Sequence, residues 1–90
     1  MTFEEFTQEA QALGFATVVA RDWPPLEEVA EHTHPFAVHA LVTQGEMWLS
    51  ANGTTEHLVA GQRFALAANQ PHTERYGATG ATYWVGRKEA

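Results

Sequence analysis

The chain has 90 residues, no cysteine and a formal net charge of −6, from five Lys/Arg against eleven Asp/Glu. That length allows one domain, burying roughly 60–70% of the surface its unfolded chain exposes. Without thiols any metal must be held by nitrogen and oxygen, and an acidic chain lacking a Lys/Arg cluster fits neither nucleic acid nor an anionic membrane.

The first element expected is a helix over residues 3–13. Thr2 and Glu5 have capping-box spacing, Phe3, Phe6, Ala10 and Leu13 form one apolar stripe, and Gly14 supplies the stop. Residues 1–14 thus read as a helical cover for an edge or mouth of the domain C-terminal to them. Its start, Met1-Thr2-Phe3-Glu4-Glu5, lacks the basic residues of a signal peptide. No apolar run approaches the ~20 residues of a membrane span, so the expected location is cytoplasmic.

Residues 15–90 read as a single β domain. Phe15–Ala20 is short and rich in β-branched residues, and Trp23-Pro24-Pro25 breaks the pattern. Leu26–His34 alternates, with Glu28, Ala30, His32 and His34 on one face. His39–Gln44 and Glu46–Ser50 read as two strands flanking Gly45. Asn52-Gly53 suits a type I′ hairpin that sets Trp48 opposite His57 and Met47 opposite Leu58. Strands near Gln62–Ala67 and His72–Tyr76 come next, then Ala81–Gly86 after a Gly-Ala-Thr-Gly turn. Short, closely spaced strands of this kind indicate an all-β barrel or sandwich.

Five histidines, as many as Lys and Arg combined, stand out against this background. His32 and His34 stand at i and i+2 of a strand, so both imidazoles can reach one ion. The pair alone is a weak signal, because chance placement yields roughly 0.2 such pairs. The wider spacing is stronger. His-x-His is succeeded by an apolar strand into Gly45. Gly61 is then succeeded at fixed intervals by Ala67, Asn69, His72 and Tyr76.

This arrangement resembles the cupin superfamily, small β-barrels that hold a metal among inward-facing side chains. Its first motif is a Gly, five residues, His-x-His, three or four residues, Glu, six residues, Gly; here His32, His34 and Gly45 match. In the second motif Ala67 stands for the Pro, Asn69 for the Gly, His72 for the His and Tyr76 for the Asn. Asn69 is a sensible replacement because Asn tolerates the left-handed conformation. The resemblance covers residues 26–76 and implies a cupin-type antiparallel β-barrel, or jelly roll. Two departures matter: Leu26 replaces the first Gly, and Val38, which cannot ligate, replaces the Glu.

The resemblance implies a metal site of His32, His34 and His72, with one side of the ion open. Three imidazoles suit a divalent transition metal, Fe, Zn, Ni, Cu or Mn, without selecting one. Strand parity turns His39 away from the site, unless a bulge near Pro35 reverses it and makes His39 a fourth ligand. His57 reads as a solvent-facing ring stacked on Trp48. Glu74 and Tyr76 share the face of His72 and are the candidate catalytic residues. They could form an acid/base pair, support the ligands or add one, or be strand-end polar groups. Gln44 has inner-face parity, and Arg63 and Arg75 are the basic candidates near the motif for an anionic substrate.

Two functional readings fit these residues. One is a mononuclear metalloenzyme acting on a small carbonyl or carboxylate compound, dioxygenase-, isomerase- or lyase-like. The other is a metal- or ligand-binding sensor module without turnover. A barrel whose histidines only bond one another is the third possibility. The partner in the first two is a small molecule. Tyr83 and Trp84 must face opposite sides of their strand, so one is expected outside the barrel as a homodimer surface.

Overall fold

Two strands, each about three times the ~5–6 residues usual for a strand, organise the computed structural model, which describes residues 1–89. In chain order the elements are α1 (Phe3–Ala12), β1 (Thr17–Trp23), β2 (Glu28–His32), β3 (Phe36–Ala51), β4 (Thr54–Val59), β5 (Arg63–Leu66) and β6 (His72–Glu89). β3 and β6 pair antiparallel from Phe36 opposite Glu89 to Ala51 opposite His72. β1 and β2 add to β6, while β4 and β5 add to β3. One layer therefore holds β1, the second half of β6, the first half of β3 and β5. The other holds β2, the first half of β6, the second half of β3 and β4. Val38, Val42, Met47, Leu49, Phe64, Tyr76, Tyr83 and Val85 are among the side chains packed between the layers.

The long strands correct two sequence expectations. Gly45 does not separate two strands, and Gly77–Gly80 is not a turn between two others. Both segments are corners inside continuous strands, with register shifts between Val42 and Gln44 and between Gly45 and Met47. Gly45 and Gly80 have φ of 73° and 74°. A Cβ on Gly45 would lie 2.1 Å from the Gly80 carbonyl oxygen, and one on Gly80 would lie 2.2 Å from that of Trp23. Glycine is required at both, because the chains cross closer than any side chain allows. The Asn52-Gly53 hairpin has the expected register, Trp48 opposite His57 and Met47 opposite Leu58. β1 runs three residues beyond its expected end, through Arg21 and Asp22 to Trp23.

α1 begins with the expected capping box: Glu5 N donates to Thr2 Oγ1 at 3.1 Å, and Thr2 N donates to Glu5 Oε1 at 2.8 Å. It ends in a Schellman closure, Phe15 N to Ala10 O and Gly14 N to Gln11 O, with Gly14 left-handed at φ 94°. Phe6 and Ala10 are buried, but the stripe stops short of Leu13, which is exposed. The helix covers neither an edge nor a mouth. It lies on the outer face of the first layer, over Leu41, Phe15, Val18 and Trp84. Phe3 meets Trp84 edge-on with ring centres 5.6 Å apart. The outward aromatic that suggested a dimer surface is thus covered by the chain's own helix, while Tyr83 is buried inside.

Leu26 reports on the missing motif glycine. It keeps the left-handed conformation a glycine would adopt, with φ 61°, and its side chain is 72% exposed. Its N–H donates to Gly77 O at 3.0 Å, tying the turn before β2 to the corner of β6. A branched side chain in this region costs roughly 1–2 kcal/mol, against about 0.4–1 kcal/mol of extra unfolded-chain entropy for glycine. Leu26→Gly should therefore raise unfolding free energy by about 0.5–1 kcal/mol, measured as an increased urea midpoint. Leu26→Ala should give no such gain, and an unchanged midpoint for the glycine variant would exclude the strain.

Candidate metal centre

His32 and His72 are cross-strand partners between β2 and β6. His34 lies just beyond β2, its carbonyl accepting from Asn69 N at 2.6 Å. Asn69 is left-handed at φ 62°, as its place in the second motif required. These two local conformations turn His34 back toward the strand pair. Ring centres are 4.2 Å apart for His32–His72, 4.8 Å for His32–His34 and 4.9 Å for His34–His72. One ring nitrogen from each lies within 4.8 Å of those of the other two.

Backbone carbonyls set the tautomers of two of the rings. His32 Nδ1 faces Ala30 O at 2.8 Å, and His72 Nδ1 faces Gln70 O at 2.9 Å. Each Nδ1–H therefore donates to its carbonyl, leaving the Nε2 lone pair for another partner. His72 is 2% exposed, and its Nε2 has no hydrogen-bond partner. A buried acceptor left unmatched costs about 1–3 kcal/mol, and a cation among the three rings would satisfy it. Burial depresses the His34 pKa first, then the neighbouring His72 and His32, so this imidazole favours the neutral, ligating form. The donor set fits a divalent transition metal.

Beside the histidines sits a buried carboxylate. Glu74 Oε2 lies 3.5 Å from His32 Nε2 and 3.6 Å from His72 Nε2, and in these tautomers neither nitrogen carries a proton to donate to it. Its other oxygen, Oε1, accepts a short hydrogen bond from Tyr76 and a longer one, at 3.5 Å, from the Tyr83 hydroxyl. Tyr83 in turn accepts from Trp23 Nε1 at 3.0 Å. Burial pushes both phenols above their ordinary pKa, Tyr76 far above it, so both stay protonated. Tyr76, expected beside Glu74 as an acid/base partner, a supporting group or an extra ligand, is 1% exposed, does not line the cavity and donates to Glu74.

The three histidines and Glu74 open onto a cavity of about 130 Å³ whose apolar wall includes Trp23, Phe36, Val38, Phe64 and Leu66. Val38 points inward at 4% exposure, and no register shift interrupts β3 between Phe36 and Val42. His39 therefore faces outward, and the bulge that would have recruited it is absent. It was expected at a surface or interface but lies beneath α1, parallel to Phe6, with Nε2 2.8 Å from Glu9 Oε2. Arg63 grips the same carboxylate through two hydrogen bonds of 2.8 and 2.9 Å, so it anchors the helix instead of facing a ligand. His57 stacks on Trp48 at 4.7 Å as expected and also pairs with Glu46. Arg75 lies over the Trp48 ring outside the barrel, and Gln44 is exposed in the β3 corner, so neither reaches the cavity. The basic residues that do line it, Arg21 and Arg87, were missed. Both lie outside the histidine motifs, though inward parity on β1 and β6 could have found them.

A family model described as AraC-like ligand binding domain matches residues 15–86. No curated protein sequence matches the chain. Among solved structures, a Rhizobium leguminosarum protein of unknown function is 18% identical with a TM-score of 0.78, covering 82% of this chain and 70% of that one. An RmlC-like cupin from Shewanella frigidimarina is 22% identical with a TM-score of 0.73, covering 82% and 66%. A Thermotoga maritima protein named as a predicted oxalate decarboxylase is 19% identical, with a TM-score of 0.73 and coverage of 92% and 74%. The chain thus spans about two thirds to three quarters of these proteins, and the likeness is one of fold.

The depressed His34 pKa has a consequence for stability. Below pH 6.5 the unfolded chain takes up a proton at this residue before the folded chain does. Stability of metal-free protein should fall as pH drops from 6.5 toward the lower folded value. Replacing His34 with Gln should flatten that part of the profile, measured by urea titrations at successive pH values.

Proposed function

The chain belongs to the AraC-like ligand-binding domain family, of cupin type, and on that premise we propose that it is a small metal-dependent cupin enzyme. The observation that carries this reading is the buried, partnerless Nε2 of His72, facing two further imidazoles across an open cavity. His32, His34 and His72 would hold a divalent transition metal, with the Glu74 carboxylate beside them. When bound, the ion supplies Lewis acidity to a small organic substrate, or a binding position for dioxygen or water.

The remaining work falls to the chain's own residues. Glu74 Oε1 is held by Tyr76 and Tyr83, which leaves Oε2 directed at the histidines to take or return a proton. Tyr76 is the positioning residue in this scheme, since its own proton stays in place. The carbonyls of Ala30 and Gln70 hold His32 and His72 in the ligating tautomer. Phe36, Val38, Phe64 and Leu66 exclude water from the substrate's apolar part. Isomerase-, lyase- and dioxygenase-like chemistry all suit this arrangement.

The family match favours a second reading, in which the same cavity binds a small ligand and signals without turnover. Tightly held metal with no activity on dicarbonyl, sugar or thiol substrates would support it.

Elemental analysis of tag-free protein should show near one metal per chain. His34→Ala and His72→Ala should each abolish it, and His39→Ala should leave it unchanged. Adding zinc at about 100 times its Kd should stabilise the wild type by about 2.7 kcal/mol and the His72→Ala variant not at all. That stabilisation should fade below about pH 6, where protons compete for imidazole. Full metal occupancy in both histidine variants would end the three-histidine reading.

A further inference from the structure

Relative to the cupin motif, the site lacks a negative charge and has a positive one beside the gap. Val38 occupies the position of the cupin glutamate, and its cross-strand partner on β6 is Arg87. Inward parity on β6 runs Tyr83, Val85, Arg87, so the arginine points to the same side as Val38. A glutamate at position 38 would pair with it. Valine leaves Arg87 without that partner, and among the described residues neither Arg87 nor Arg21 forms an ion pair. Arg21 reaches the same cavity from β1, directly opposite Tyr83.

Both guanidiniums rest on aromatic rings that face the site. Arg87 lies 4.7 Å from the centre of Phe36, whose ring is parallel to His34 at 4.9 Å. Arg21 lies 5.3 Å from the centre of Trp23, the indole that bonds Tyr83. Such contacts hold a cation in place without neutralising it. Three neutral imidazoles leave a bound divalent ion with most of its charge. Among the described residues one carboxylate lines the cavity, Glu74, and its Oε1 is already occupied by the two phenols.

We infer that Arg21 and Arg87 form an anion-binding mouth over the histidine cluster, and that the ligand is a small carboxylate with an apolar body. The inference deepens the proposed function by naming the substrate class of the same site. Guanidinium matches a carboxylate through two parallel hydrogen bonds. The wall of Phe36, Val38, Phe64, Leu66 and Val85 takes the apolar remainder. A volume of about 130 Å³ is close to that of cavities that admit a single benzene ring. The neutral residue in this cross-strand pair therefore moves the required negative charge from the protein to its ligand.

Benzoate and its neutral isostere benzamide separate this from simple apolar binding. Calorimetry on the full chain, as purified and after chelator treatment, should show benzoate binding about tenfold tighter than benzamide in both states. Arg21→Gln and Arg87→Gln should each reduce that preference, and the double variant should remove it. Arg75→Gln, on the outer surface, should retain it. Val38→Glu should also reduce it, by supplying Arg87 with an internal partner, with the fold checked by circular dichroism. Equal affinity for the two probes, or no benzoate binding up to about 10 mM, would overturn the inference. So would undiminished preference in the double arginine variant or in Val38→Glu. Persistent preference in a wild type that takes up no metal supports the mouth while refuting the metal centre, so the two failures are distinguishable.

Discussion

β3 and β6 must stay paired while both turn a corner, and the other strands hang from that pairing. Two uninterrupted strands of this length would form a twisted ribbon with both faces in water. Here the ribbon folds over on itself because Gly45 and Gly80 let the chains cross where any Cβ would collide with a carbonyl oxygen. Once bent, the ribbon offers each half a free edge on both sides, and β1, β2, β4 and β5 fill them. The apolar side chains that alternate along both strands then face one another across the fold. Leu26, strained at φ 61°, bonds to Gly77 in the same corner, so the approach to β2 depends on it too. The placement of the histidines is a direct consequence: His72 begins β6, His32 ends the strand beside it, and His34 is the next inward residue as the chain crosses to β3.

Burying a carboxylate next to three imidazoles raises an electrostatic question that the hydrogen-bond pattern answers. Glu74 is 8% exposed, a position where an unpaired charge would be costly. Tyr76 and Tyr83 supply two donors to one oxygen, and Trp23 supports Tyr83 from behind. The other oxygen faces ring nitrogens whose lone pairs cannot donate. This asymmetry gives Glu74 one saturated side and one reactive side. It also explains how a site without the usual glutamate on β3 can keep a carboxylate near the histidines: it comes from β6, two residues after His72.

Much of this was readable in the sequence, for identifiable reasons. The capping box at Thr2 and Glu5, the Asn52-Gly53 hairpin and the left-handed Asn69 are local signals, decided within a few residues. The outward direction of His39 came from parity alone, since no bulge disturbed it. Fixed spacing between motif residues brought His32, His34 and His72 into one group. What the sequence hid was tertiary. A glycine in a corner and a glycine in a turn look alike, so β3 and β6 were each read as two strands. Where α1 docks depends on the outer faces of Leu41, Phe15 and Trp84, which come from separate segments. Arg63 seemed to lie near the motif but grips Glu9, whereas Arg21 and Arg87 are far from it in sequence and close to the cavity in space.

The distribution of charge resolves an apparent conflict between the acidic chain and its basic cavity. Most of the eleven carboxylates stand on exposed strand and helix positions, where water screens them. Glu9 and Glu46 are tied to partners on outer faces of the barrel. At the cavity, one carboxylate stands with two arginines and three clustered histidines. Long-range repulsion from the surface slows an approaching anion only modestly at physiological salt, with a Debye length of about 8 Å. At the mouth the low-dielectric aromatic walls strengthen attraction to the guanidiniums instead. Net charge therefore describes what this chain avoids at its surface, and the pairing of Val38 with Arg87 describes what it draws in.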